Sequence, residues 1–294
     1  TGVRPSKIAY SMLEAGNSDE EIMSEFEEKH FVSHDKAELA MQVAKTEKKI
    51  LEDIDYTNGY SIYIGIPFCP TTCLYCSFTS YSLAANRSKV DLYLDALVKE
   101  MRFVADRMKG RRLDTVYFGG GTPTTLEPEQ LDRLLNELEA DFDMSTVKEL
   151  TVEAGRPDSV TVQKLEVLKK HGVDRISINP QTMNDKTLEI IGRRHSATQV
   201  EEAFKLARSV GFDNINMDII LGLPGETHET MVEQAGILSR LPLSTLKIHQ
   251  LQLIRGTRMA HEYAEVPDDF HLFTEVDEYI DLVIDYIEHL RPDM

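Results

Sequence analysis

GIPFCPTTCLYCSF, residues 65–78, holds Cys69, Cys73 and Cys76, and these are all the cysteines of a 294-residue chain. Three thiols at CxxxCxxC spacing cannot pair off, and they lie too close together for a disulfide framework, so a reducing, cytoplasmic compartment is expected. Pro67 and Pro70 flank Cys69 and discourage a helix there, which lets the loop wrap its sulfurs around one point. Four sulfurs would read as structural zinc, but here there are three, and no His follows at zinc-finger spacing. A cubane iron–sulfur cluster is usually held by four thiolates. Held by three, it keeps one iron open for a ligand. Zinc completed from outside, or three inert buried thiols, are the alternatives.

Working outward, the stretch sits in a regular rhythm. Just before it comes YSIYIGI (60–66), followed later by DTVYF (114–118), KELTVEA (148–154), DRISIN (174–179), NINMDIIL (214–221) and TLKIHQL (245–251). Amphipathic helical runs separate these apolar, β-rich segments, and Gly172 and Gly211 supply helix C-terminal signals. Alternating strands and helices predict a parallel sheet with helices outside, in the α/β class. Six units predict a partial (β/α)6 barrel, with an open doubly wound sheet as the alternative. The cysteine loop then follows the first strand at its C-terminal end, where parallel α/β folds assemble their sites.

The expected organisation is a helical segment over 1–57, the (β/α)6 core over 58–260 and a helical extension over 261–294. Ser18 and Glu21 form a capping-box pattern in the first segment. After Asp35, Leu39, Val43, Ile50 and Ile54 lie near one helical face. The chain begins at Thr1 and stops at Asp293-Met294 without a terminating element, so it is expected to be a piece of a longer protein, cut before a substrate-binding domain.

Formal net charge is −18 with a pI near 4.9, which repels nucleic acid and anionic lipid. No apolar run reaches the roughly 18 residues of a membrane span, and no signal peptide is visible. Gly119-Gly120-Gly121-Thr122-Pro123 follows the second strand, and a triple glycine lets a ligand approach backbone N–H groups. No Gly-Lys-Ser/Thr follows, so it is not a P-loop. Glu153 ends the third strand, Gln181 follows the fourth and Arg193 lies on the next segment. Asp218 sits inside the apolar run NINMDIILG, where a carboxylate without partners is costly.

CxxxCxxC followed by Phe78 resembles the radical S-adenosylmethionine (SAM) superfamily. YIGIPFC and YFGGGTP (117–123) resemble its oxygen-independent coproporphyrinogen III oxidase family. SFTSY (77–81), EAGRPD (153–158), NPQTM (179–183) and DIILGLPGE (218–226) are most similar to the HemZ-type coproporphyrinogen dehydrogenase branch. The resemblance implies a [4Fe-4S] cluster on Cys69, Cys73 and Cys76. It also implies a bound S-adenosyl-L-methionine whose amino and carboxylate groups chelate the open iron, and its reductive cleavage to a 5′-deoxyadenosyl radical. It gives the methionyl end to Gly119, Gly120, Gly121, Thr122 and Glu153, with Arg193 on the carboxylate. Gln181 and Asp218 fall to the ribose, Tyr63 lies nearby, Phe78 and LGLPGE (221–226) flank the adenine, and HQLQL (249–253) adds backbone contacts.

The implied reaction is oxidative decarboxylation of coproporphyrinogen III to protoporphyrinogen IX in haem biosynthesis. Arg87, Lys89, Arg156, Arg194, Arg255 and Arg258 are candidate partners for its propionates. Ser77-Phe78 stands where the oxidases carry a fourth nearby Cys. The family also includes haem chaperones and haem-opening radical methyltransferases, and with no Trp in the chain the chaperones' His-Asn-x-x-Tyr-Trp motif is absent. Expected partners are a tetrapyrrole (coproporphyrinogen III or haem) and an electron donor such as a flavodoxin or ferredoxin. Nucleic acid and membrane are not expected partners, and a monomer is expected.

Overall fold

Small residues, rather than the large apolar ones, form the buried face of the longest N-terminal helix, His34–Ile50. The computed structural model describes residues 4–55, 57–265, 272–273 and 275–294. They fall into two compact units, Thr1–Tyr60 and Ser61–Met294. The first contains α1 (Ser6–Glu14), α2 (Asp19–Ser24) and α3 (His34–Ile50). The expected capping box forms at Ser18 and Glu21. On α3, Ala37, Ala40 and Ala44 are buried with Ile22 and Phe26. Leu39 and Ile50 remain 60% and 70% exposed, so the Leu39/Val43/Ile50 stripe is an outer face. Helices meet more closely across alanines than across leucines, and the alanine face takes the contact.

The second unit is built on six strands: β1 (Tyr60–Ile66), β2 (Leu113–Gly120), β3 (Glu149–Glu153), β4 (Arg175–Ser177), β5 (Asn214–Leu221) and β6 (Thr245–Gln250). Their order across the sheet is their order in sequence, and the four pairs from β2 to β6 are parallel. A doubly wound sheet reverses order at a switch point. This sheet never reverses, so the crossovers wind one way round a partial barrel.

The main crossover helices are α4 (Val90–Arg107), α5 (Pro128–Asp141), α6 (Val162–Lys170), α7 (Ala197–Val210) and α8 (His228–Leu238), with α9 (Val276–Glu288) beyond the last strand. Several carry their own boundary signals. Pro128 opens α5 behind a Glu127–Gln130 capping box, and Ser196 with Gln199 caps α7, which ends on Gly211 at φ 100°. On α5, Leu131, Leu134, Leu135 and Leu138 are buried, the i, i+3, i+4, i+7 stripe of a helix packed on one side. Phe118, Phe204 and Phe212 are almost fully buried, each worth roughly 1.5–3 kcal/mol of apolar transfer.

Strand parity separates core from site. On β5, Ile215, Met217 and Ile219 are fully buried, while Asn216 and Asp218 alternate with them on the opposite face. On β3, Leu150 and Val152 alternate in the same way with Thr151 and Glu153. The polar set lines the inside of the partial barrel, at the strand ends where the connecting loops converge.

Candidate active site

The cysteine loop leaves β1 and is fastened on three sides. Phe68–Cys69 pairs in parallel with Tyr81–Ser82, and the Tyr81 N–H donates to Pro67 O at 2.7 Å. From β2, Gly121 N–H donates to Ile66 O and Thr122 N–H to Phe68 O, both at 2.8 Å. Gly121 allows this approach, since a Cβ there would lie 2.7 Å from Phe68 O and 3.0 Å from Cys69 Sγ. On the third side, Leu74 N–H donates to Ile191 O at 3.0 Å, and the Thr71 hydroxyl to Gly192 O at 2.7 Å. Leu74 itself is buried with Leu188, Ile191 and Leu223.

This fastening turns all three thiols into one cavity of about 180 Å³, whose wall also includes Gly120, Gly121, Arg156, Arg193 and Asp218. Burial pushes the Cys69 and Cys76 thiols above their ordinary pKa; the Thr122 hydroxyl, donating to Cys69 Sγ at 3.6 Å, pulls the other way.

The remaining sequence-derived residues gather round the same space. Tyr63, Phe78, Thr122, Glu153 and Gln181 all line it. Gly119 does not. It makes room behind the wall, where a Cβ would strike Tyr63 Oη and the Tyr117 ring at 2.7 Å. The Tyr63 and Tyr117 rings stack with centroids 5.6 Å apart, and the Tyr117 hydroxyl donates to Glu153 Oε1 at 2.6 Å. Burial raises the pKa of Glu153, opposed by that hydrogen bond and by the charge of Lys247.

Gln181 adopts φ 71°, a left-handed conformation unusual for a side chain of this size. Its backbone is held between Asp218 O and Ile220 N. Next to it, Thr182 donates to the buried Glu226, and Met183 N–H donates to Gln234 Oε1 at 2.7 Å. LGLPGE therefore reaches the site through Glu226, while its residues line neither this cavity nor a second one adjoining it, walled by Phe78, Asp218, Lys247 and His249 among others. Asn216 Nδ2 donates to Asp218 Oδ1 at 2.7 Å and to Ser177 Oγ at 2.6 Å, supplying the partners that a carboxylate in an apolar strand needs.

Arg193 is buried. Its Nη1 donates to the carbonyls of Asn179 and Gly155, and its Nε has no hydrogen-bond partner among the described residues. Arg156, a candidate for substrate propionates, is instead buried and tied down: Nη1 donates to Thr71 Oγ1 at 3.1 Å, and Nε pairs with Asp158 at 3.2 Å. It braces the cysteine loop. Arg87, Lys89, Arg194, Arg255 and Arg258 line neither cavity, and Arg258 pairs with Glu262. Tyr75, Tyr117, Asn179 and Lys247 join the site without having been singled out by the sequence, and His249 lines the adjoining space with its side chain although HQLQL was expected to add backbone contacts. Strand parity was the available signal for three of them, since Tyr117, Lys247 and His249 fall on the lumen faces of their strands.

The donor set suits an iron–sulfur cubane. Among the described residues no three Cys, His, Asp or Glu side chains converge closely enough for a single metal ion, whereas a cubane binds each thiolate through a different iron. The cavity also offers a glycine turn that a ligand can approach closely and the buried guanidinium of Arg193 in its wall, a cation that suits the carboxylate of an amino acid.

A family model described as the radical SAM superfamily matches residues 63–235, and one described as the radical SAM C-terminal domain matches residues 243–294. The chain belongs to the radical SAM superfamily, and membership implies a [4Fe-4S] cluster and SAM. It is 38% identical over 270 residues to the oxygen-independent coproporphyrinogen-III oxidase-like protein HemZ of Bacillus subtilis, covering 90% of this chain and 54% of that one. It is 42% identical over 168 residues to the heme chaperone HemW of the same organism, covering 57% of this chain and 44% of the relative. The chain thus spans about half the length of these relatives. Its fold matches coproporphyrinogen III oxidase (HemN) of Escherichia coli with a TM-score of 0.69 at 24% identity, over 82% of this chain and 55% of that one. Among the described residues no helix is long and apolar enough to cross a membrane.

Two predictions follow from this geometry. Gly121→Ala pushes a methyl against Phe68 O and Cys69 Sγ, so iron bound per chain after anaerobic reconstitution falls at least as far as in Cys73→Ala. Iron content equal to that of the unsubstituted protein contradicts this. The second concerns His195, buried with both ring nitrogens unpartnered among the described residues. Burial first, then the charges of Arg193 and Arg156, push its pKa from 6.5 down to about 3. The unfolded chain takes up this proton below its ordinary pKa and the folded chain refuses it. The stability contribution is therefore complete above pH 6.5 and lost progressively as pH falls towards 3. Urea unfolding at pH 7 and pH 5 shows a smaller loss of midpoint in His195→Gln; parallel losses refute the assignment.

Proposed function

We propose that the protein carries a [4Fe-4S] cluster on Cys69, Cys73 and Cys76, binds SAM beside it and acts on a tetrapyrrole. The proposed reaction is oxygen-independent oxidative decarboxylation of coproporphyrinogen III. The observation that carries this reading is the convergence of three thiols, a glycine turn, a partly unsatisfied buried arginine and the Glu153/Gln181/Asp218 set on one cavity. When bound and reduced, the cluster supplies the electron that cleaves the cofactor and so the radical that removes a hydrogen atom from substrate.

The protein's own residues bind and orient. Arg193, in the cavity wall, takes the methionyl carboxylate in a charge-assisted pair. The Gly120–Gly121 backbone and Glu153 receive the amino group. Glu153 holds its place through Tyr117 and takes the cationic group as a carboxylate. Gln181 and Asp218 accept the ribose hydroxyls, Asp218 being oriented for this by Asn216. The stacked Tyr63–Tyr117 pair shields the reacting centre from water on the β1–β2 side. Each propionate that becomes a vinyl group loses one hydrogen atom, one carbon dioxide and one electron, so the reaction needs an electron acceptor as well as the reductant that starts it.

The similarity to heme chaperones favours a second reading, haem binding and transfer without turnover. Anaerobic incubation of the reconstituted protein with reductant, SAM and one tetrapyrrole at a time separates the readings. Decarboxylated porphyrinogen with 5′-deoxyadenosine is the expected outcome, lost in Cys73→Ala. Haem passed on intact without 5′-deoxyadenosine supports the transfer reading instead, and a linear methylated product points to haem opening. Absence of 5′-deoxyadenosine from cluster-loaded protein rejects radical chemistry.

A further inference from the structure

We propose that Lys247, with His249 beside it, holds a carboxylate of the substrate inside a second chamber that opens off the cysteine cavity. This rests on the function proposed above and names the acid-recognising residues of that same site. The chamber measures about 410 Å³ and shares Tyr75, Cys76, Phe78, Glu153, Gln181 and Asp218 with the cysteine cavity. Much of its remaining wall comes from β6 and the residues that follow it.

Register decides which side chains face inward. Lys247 stands opposite Asp218 on β5, and His249 opposite Ile220. Residues two apart on a strand share a face, and both line the chamber. Among the described residues no hydrogen bond or ion pair engages the Lys247 ammonium, although its charge acts on Glu153. The His249 Nε2 lies 3.9 Å from Asp218 Oδ2, too far for a hydrogen bond.

The two acids nearby do not use up this charge. Glu153 already accepts from Tyr117 and Asp218 from Asn216, and both are given to the cofactor in the proposed function. That leaves Lys247 as the permanently cationic side chain of the chamber wall, in a chain of net charge −18. Phe78, 74% exposed, and Ile254 supply apolar surface in the same wall. A ligand with an apolar body and an acidic edge matches this division, as a carboxylated macrocycle does. The arginines that sequence offered for this task lie elsewhere or are tied down, so recognition of the acid falls to the last barrel strand.

The test compares coproporphyrin III with its tetramethyl ester, binding being followed by porphyrin fluorescence anisotropy on protein with matched iron and sulfide content. The unsubstituted protein prefers the acid. Lys247→Met weakens the acid about tenfold, the loss of one charge-assisted contact, and leaves the ester unchanged. Lys247→Arg restores most of the preference, and His249→Gln costs less than Lys247→Met. Equal acid binding by Lys247→Met, or no preference for the acid in the unsubstituted protein, overturns the proposal. A lysine that merely balanced Glu153 and Asp218 would leave the acid-to-ester ratio unmoved, which also overturns it. Failure of the cluster-loaded protein to cleave SAM rejects the radical function separately, and the acid-to-ester ratio then decides the chamber on its own.

Discussion

Backbone pressed on backbone is the constraint beneath the whole site. The cysteine loop has little regular structure of its own, and its sulfurs are aimed by the segments that clamp it. Gly120 and Gly121 let the end of β2 lie against the end of β1, where the Gly121 and Thr122 N–H groups meet carbonyls of Ile66 and Phe68. Any side chain at Gly121 would occupy the space of those carbonyls and of Cys69 Sγ. The barrel supplies the rigid edge, the glycines supply the clearance, and the segment 191–192 closes the loop from the other side.

The electrostatics of the site run against the rest of the chain. A protein of net charge −18 keeps two arginines buried here. Burying a charge is expensive unless it is paired and hydrogen-bonded. Arg156 meets that requirement through Asp158 and Thr71. Arg193 meets it in part, through carbonyls, and its side chain also forms part of the cavity wall. A polar ladder across the strands, from Asn179 through Ser177 and Asn216 to Asp218, links the Arg193 side of the site to the Asp218 side. These side chains hold one another in place before any ligand arrives.

Much of this was legible in the sequence, for identifiable reasons. The strands showed because a parallel sheet buried on both sides needs long apolar runs, and 60–66 and 214–221 match the observed β1 and β5. The cysteines showed because three thiols so close together have few other uses. Asp218 showed because a carboxylate stands out in an apolar strand. What stayed hidden depended on partners distant in sequence. Arg156 reads in sequence as a candidate for substrate propionates, and only the fold brings Thr71 beside it. The Tyr117 hydroxyl meets Glu153, 36 residues away, only in the fold. Lys247 carried no signal of its own, because only the register of the last strand sets it opposite Asp218. On α3, periodicity found a true stripe, Leu39/Val43/Ile50, but closer packing by alanines won the buried face.

The account stands on a cluster that offers one iron to SAM. The most direct measurement is electron paramagnetic resonance of the reduced, reconstituted protein before and after SAM is added. The account predicts that the cofactor alters the signal of the reduced cluster, because it ligates an iron that no cysteine holds. An unchanged signal at saturating cofactor, or a cluster that assembles equally well without Cys73, would contradict it.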